Sequence, residues 1–314
     1  MMSFILMLMS YLVMLINVLI GVAFLTLYER KILGYVQARK GPNKMGFLGI
    51  LQPFNDAIKL FSKEYILSYN FNYYIYMISP LFMLLLSLFI WVLVPLMVNI
   101  WEMSMGVLFL LSLLSISVYF VMYSGWASNS IYSLLGSLRS IAQTISYEVS
   151  LALILVIFIF LVDSFNFYDM MIYQLNLSFL FYMVPLFFMF LVSSLAELNR
   201  SPFDFVEGES ELVSGFNIEY ASGVFAFLFL AEYSMILFFS MMLMLMFWGF
   251  MWFNMLSYFF IMMFFSLIIL IRGTYPRFRY DMLMSLAWKK FLPFILTYLI
   301  FILGVKFLIY MIII

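Results

Sequence analysis

The sequence predicts an all-α, polytopic membrane protein with about eight transmembrane helices, forming a single membrane domain over residues 1–314. Three observations predict this. Hydrophobic residues make up 67% of the chain and charged residues 10%, with a mean hydropathy of +1.15, which is the composition of a membrane-embedded chain. Apolar runs recur at about 20 residues, the length that crosses roughly 30 Å of hydrocarbon. Between them the polar residues gather in short islands. Inside a bilayer every backbone group must find a partner within its own segment, so such runs form helices.

In chain order the expected spans are 3–28, 75–98, 105–122, 135–162, 179–194, 220–244, 253–271 and 291–312. The first is too long for a signal-peptide core and has no charged flank, so it reads as a true span. The fourth carries Arg139, Gln143 and Glu148, and the fifth is short, following a mixed segment, 165–177, that suits an interface. Basic residues orient the bundle, because Lys and Arg collect on the side of insertion. Arg30, Lys31, Arg39, Lys40, Lys44, Lys59 and Lys63 follow the first span, Arg200 follows the fifth, and Arg272, Arg277, Arg279, Lys289 and Lys290 precede the last. The long polar connections, 29–74, 195–219 and 272–290, therefore share one side. The opposite connections carry only Glu102, Asp163 and Asp169 or no charge, and both termini fall with them.

The chain has no Cys and no His. Iron–sulfur clusters, most haems, and zinc and copper sites need thiolate or imidazole, which argues against a self-contained electron carrier, and Cys or His nucleophilic catalysis is excluded. No catalytic residue, metal ligand or resident cofactor is assigned to the chain. No phosphate-binding glycine loop, dinucleotide fingerprint or internal repeat occurs either. Met reaches 28 while Ala is sparse, the bias of an A+T-rich organellar genome and of synthesis inside a mitochondrion.

Four polar islands carry the specific signals. In the first, 26–64, Pro53 opens an amphipathic interfacial helix. Its Phe54, Ala57, Ile58, Phe61 and Tyr65 lie on one face and Asn55, Asp56, Lys59, Ser62 and Lys63 lie largely opposite. Gly34, Gly41, Pro42, Gly46 and Gly49 point to a folded loop before it. The second island, 136–150, places Arg139 and Glu148 about 13 Å apart along a helix inside a span. Ionisable groups there mark either a polar pathway or hydrogen bonds to neighbouring helices. The third, AELNRSPFDFVEGESELVSGFNIEYAS, holds six of the fifteen carboxylates: Glu197, Asp204, Glu207, Glu209, Glu211 and Glu219. Phe203, Phe205, Val206, Leu212, Val213 and Phe216 interrupt them, which argues against a merely wet loop and for acids folded back into partly dry surroundings. Glu232, thirteen residues beyond Glu219 and about 20 Å deeper, is a proton-relay candidate. The fourth island, 272–293, sets Arg272, Arg277 and Arg279 beside Tyr275, Tyr280 and Asp281. Topology explains its charges as well as binding of a polar headgroup with an apolar tail does.

The motifs YERKILGYVQARKGPN, GSLRSIAQTISYEVS, AELNRSPFDFVEGESELVSGFNIEY and RGTYPRFRYDMLM resemble the subunit-1 family of the proton-pumping NADH:ubiquinone oxidoreductase, respiratory complex I, over nearly the whole chain. Many members have proline just after the Lys-Glu that ends the first loop, where this chain has Tyr65. The resemblance implies a core subunit of the mitochondrial inner membrane, with its polar loops on the matrix side clasping the peripheral arm. Its partners would be the quinone-module subunits, neighbouring membrane-arm subunits and lipid, with no nucleic acid. It also implies that ubiquinone is the substrate while FMN and iron–sulfur clusters reside in partner subunits, so the chain is inactive alone. Glu148, Glu197, Asp204, Glu207, Glu209, Glu211, Glu219 and Glu232 would begin the charged path that couples quinone chemistry to proton translocation. Arg30, Arg39, Asp56, Arg200, Arg272 and Arg279 would support the quinone tunnel. The alternatives from the residues alone are a secondary proton- or ion-coupled transporter, against which no symmetry between halves speaks, and a structural anchor for a peripheral redox arm.

Overall fold

The computed structural model describes residues 2–65, 69–95, 103–204, 215–217, 219–249 and 255–313. Their regular structure is entirely helical. Helix α1 runs over Met2–Val36, followed by a 3-10 turn Phe47–Gly49 and α2, Gln52–Ser62. Helix α3 is Tyr73–Phe89, continued by a 3-10 turn Ile90–Leu93, and α4 is Gly106–Ala127. Helix α5, Ile131–Val162, is followed by the short α6, Phe167–Tyr173, and by α7, Val184–Glu197. Helices α8, Ser222–Phe247, and α9, Met255–Thr274, precede α10, Tyr280–Ser285, which passes through a π-helical turn Leu286–Phe291 into α11, Leu292–Ile313.

Seven helices among the described residues are long and apolar enough to cross a membrane. The expected fifth span is realised as α7, only 14 residues, about 21 Å at the helical rise and short of the roughly 30 Å hydrocarbon layer. It nevertheless carries the chain along the bundle. Gln143 of α5 donates to the carbonyl of Ala196 at one end of α7, while Phe158 packs on Phe179 just before the other. Two connections are shorter than expected. Helix α1 continues through Glu29 and Arg30 to Val36 instead of ending at 28, and the last span begins at Tyr280 instead of 291, leaving 275–279 outside helices. Charge ends a hydropathy run but leaves i→i−4 hydrogen bonding intact, so helices outlast their apolar stretches. The segment 165–177 forms α6, with Phe167, Met170 and Met171 buried.

The core centres on α8, which packs against α1, α2, α3, α6, α7 and α9. From Met241 to Phe247 every side chain is buried, as for a helix enclosed on all sides. Phe158, Phe187 and Phe190 present their rings edgewise to Phe247 at 5.3, 5.2 and 5.8 Å, a favoured aromatic geometry. Unbranched Met241, Met242, Met244 and Met246 fill the gaps between such rigid rings.

Small residues let the other helices approach, as van der Waals contact rather than water exclusion drives packing in lipid. A Cβ on Gly136 of α5 would lie 2.9 Å from the Cα of Gly215, and one on Gly125 of α4 would meet the Ser137 hydroxyl of α5. Ser137, Ser140, Ser146 and Ser150 each donate to a carbonyl three residues earlier in α5, so these hydroxyls are satisfied within their own helix. In the first connection α2 forms where the amphipathic pattern places it, with Pro53 in its first turn. It packs on α1 and α8 through Phe54 on Phe24 and Phe61 on Phe227, both at 5.8 Å. Ile58 of α2 remains exposed.

Candidate functional site

At the end of the bundle where α1, α7 and α9 finish, basic and acidic side chains from distant segments meet. Glu197 closes α7. Asn199 then takes a left-handed conformation, φ 50°, which asparagine tolerates better than most residues, and the chain reverses so that Arg200 is only 5% exposed. Its guanidinium donates from Nη2 to Oε2 of Glu232 at 2.9 Å and lies 4.9 Å from the centre of the Tyr233 ring, within cation–π range. The Tyr233 hydroxyl donates to Oε2 of Glu29 at 2.5 Å, and Arg272 pairs with the other oxygen of Glu29. The result is a row of alternating charge, Arg272, Glu29, Arg200, Glu232, with Tyr233 as its central bridge.

Beside the row, a cavity of about 100 Å³ opens between α3, α4, α5 and α8, with Glu197, Asn199, Arg200, Glu232 and Thr144 among its polar lining. Such a volume has room for water. Glu197 and Asn199 line it, and Oε2 of Glu197 and Oδ1 of Asn199 are buried without a hydrogen-bond partner among the described residues. A second cavity, about 170 Å³, lies between α4 and α5 and is lined by Glu148, Ser115 and Tyr119. Val118 borders both.

Asp204, 5% exposed, faces Arg277 at 3.6 Å. There Phe203 stacks on Phe278 at 5.5 Å, and the Phe278 N–H donates to the Pro202 carbonyl. Glu219 lies apart, on the turn into α8, where its carbonyl accepts the Tyr76 hydroxyl at 2.8 Å. The Tyr76 ring stacks on Tyr220 at 4.3 Å. Arg30 pairs with Asp56 at 2.6 Å across α1 and α2, and Gln52 donates to the same carboxylate. Arg39 and Arg279 are exposed and belong to neither cluster. Glu207, Glu209 and Glu211 lie outside the described residues.

A model of the family described as NADH dehydrogenase matches residues 9–303. The chain belongs to that family. Among its relatives, "NADH-ubiquinone oxidoreductase chain 1" of Anopheles gambiae is 57% identical over 301 residues, 94% of each chain. The protein of the same name from Aedes aegypti is 55% identical over 305 residues, 97% of each. That of Monodelphis domestica is 48% identical over 297 residues, 92% of this chain and 93% of its own.

Within this NADH dehydrogenase family member, the structure brings Arg200 and Arg272, expected to support a tunnel, together with Glu197 and Glu232, expected on a charged path, and it adds Glu29 and Tyr233, which sequence reasoning missed. Glu29 was hidden in a basic motif, yet Val18, Val22, Leu25 and Glu29 share one helical stripe and are 7%, 1%, 5% and 6% exposed. An acid continuing a buried stripe was the available signal. Tyr233 carried no distinguishing local pattern, and Arg277, named within the fourth island, had no partner assigned to it.

Proposed function

We propose that this chain is the subunit-1 membrane component of respiratory complex I in the mitochondrial inner membrane. In this reading it lines the tunnel by which ubiquinone enters from the bilayer and begins the charged path toward proton translocation. The observation that carries the proposal is the row Arg272, Glu29, Tyr233, Arg200, Glu232, which ends at a cavity bearing Glu197.

The chain's own residues have defined tasks under this proposal. Reducing a quinone adds negative charge and draws protons to the headgroup. Arg272 and Arg200 stabilise that charge, and each already has an acid to share its field. A charge arriving near Arg272 weakens its hold on Glu29, and Tyr233 passes the change to Arg200 and Glu232 through its hydroxyl and its ring. Glu197, facing the cavity, is then placed to take up or release a proton, with Glu148 next along the helices. The loops carrying Arg39 and Arg279 face the matrix and meet the quinone-module subunits, FMN and iron–sulfur clusters in partner subunits transfer the electrons, and Glu207, Glu209 and Glu211 belong to the same charged path as Glu197.

Glu29→Gln tests this in assembled complex. It preserves shape and an acceptor for Tyr233 while removing the charge opposite Arg272. Turnover with a short-chain ubiquinone is expected to fall roughly 10- to 100-fold, the worth of about one charged hydrogen bond, relative to NADH oxidation by ferricyanide, which bypasses the membrane. An unchanged ratio of the two activities would refute the proposal. So would migration of the chain on a native gel apart from NADH:quinone reductase activity, which would favour a transporter.

A further inference from the structure

Gln143 is fully buried in α5, five residues before Glu148 on the same helix. Its Nε2 carries two hydrogens, and both are engaged outside its own helix. One is donated to the Ala196 carbonyl at 2.9 Å and the other to the Phe203 carbonyl at 2.8 Å. Those carbonyls belong to the peptide units that immediately precede Glu197 and Asp204. One side chain therefore ties together the two ends of the turn that contains Arg200. The neighbouring hydroxyls of Ser140 and Thr144 donate to carbonyls of α5 itself and leave this turn to the amide.

Residue chemistry explains the choice. Lysine or arginine at 143 would bring a charge into a fully buried position, and serine or threonine would be too short to reach the carbonyls at both ends of the turn. Glutamine supplies two neutral donors at the end of a reach of two methylenes. Burial of an amide is costly where its polar atoms go unpaired, and both donors are paired.

We propose that Gln143 is a positioning residue for the coupling reaction: it holds the 196–203 turn closed, so that the Glu197 carboxylate faces the cavity beside Arg200 and Glu232. The inference rests on the role proposed above for Glu197. It adds that the geometry of this acid is set from α5, through the backbone, rather than by a direct side-chain contact. The buried Oε1 of Gln143, with no partner among the described residues, leaves an acceptor at the same point.

The test is a double-mutant cycle in assembled complex, with rates of quinone-coupled turnover normalised to NADH oxidation by ferricyanide. Gln143→Met keeps the volume and removes both donors. It is expected to lower kcat roughly fivefold to tenfold, about the net worth of one or two hydrogen bonds, with KM for short-chain ubiquinone unchanged. Combined with Glu197→Gln, it is expected to add no further loss beyond about twofold, because it acts through that residue. Losses that multiply, or a normal kcat for Gln143→Met, would overturn the positioning role. Should Glu197→Gln alone turn over at the normal rate, the role proposed for Glu197 fails, and a slow Gln143→Met would then place Gln143 in folding alone, which also overturns the inference. If Gln143→Met does not assemble, Gln143→Asn, one methylene too short to bridge both carbonyls, is judged by the same criteria.

Discussion

Replacing Arg200 by methionine removes the residue on which two acidic segments converge, and the structure sets the size of the effect. A hydrogen bond to a charged partner contributes about 1.5–3 kcal/mol. The cation–π contact with Tyr233, in surroundings where Arg200 is 5% exposed, adds roughly 1–2 kcal/mol. Removing one member of a buried pair also strands the other. The Glu232 side chain keeps 26% of its surface exposed, so water relieves part of that penalty, and the total stays near the lower end of the roughly 3–5 kcal/mol seen for stranded buried charges. A loss of about 3–4 kcal/mol corresponds to two to three decades in quinone-coupled turnover if it falls on the reacting state. Removing the stranded charge as well, in Arg200→Met with Glu232→Gln, is expected to recover at least tenfold of that loss. The assay is turnover with a short-chain ubiquinone in particles of native size, normalised to ferricyanide reduction. Losses of the two single substitutions that multiply to within about twofold in the double would refute the reasoning, because independent sites add in free energy.

Two further outcomes follow from packing and from charge at the other end of the bundle. Gly136→Ala places a methyl 2.9 Å from the Gly215 Cα, and this overpacking is expected to destabilise the α5 contact by about 1–3 kcal/mol, read as a lowered yield of assembled particle. An undiminished yield would show that the 215–217 turn moves freely. Across the bundle, the hydrogen bond from Lys306, followed by its charge, holds the Asp163 carboxyl below the usual carboxylate range. A depressed carboxylate stabilises the fold above its unfolded value near pH 4 and loses that contribution as pH falls further. With the Asp163 side chain 61% exposed, the effect is at most about 0.5 kcal/mol. Asp163→Asn should therefore remove a small acid-sensitive part of thermal stability below about pH 4, and an unchanged acid profile would assign the pair no energetic role.

Composition and run length by themselves determined that the chain is a helical membrane protein, because hydrocarbon thickness and backbone satisfaction impose the same demand wherever a segment crosses. Charge placement grouped the polar connections, and periodicity found α2, since an amphipathic face is a local property. Helix ends were harder. The continuation of α1 past Tyr28 and of α10 into α11 left no hydropathy signal, because charged side chains extend a helix without lengthening its apolar run. The pairing of charges was decided only by tertiary structure. Glu29 and Arg272 are 243 residues apart, and which acid meets which base depends on how α1, α8 and α9 are rotated against one another. The same holds for Gln143, whose two acceptors lie 53 and 60 residues away. Packing geometry sets those rotations through contacts among similar apolar side chains, and a sequence dense in Phe, Leu and Met offers many nearly equivalent ways to make them.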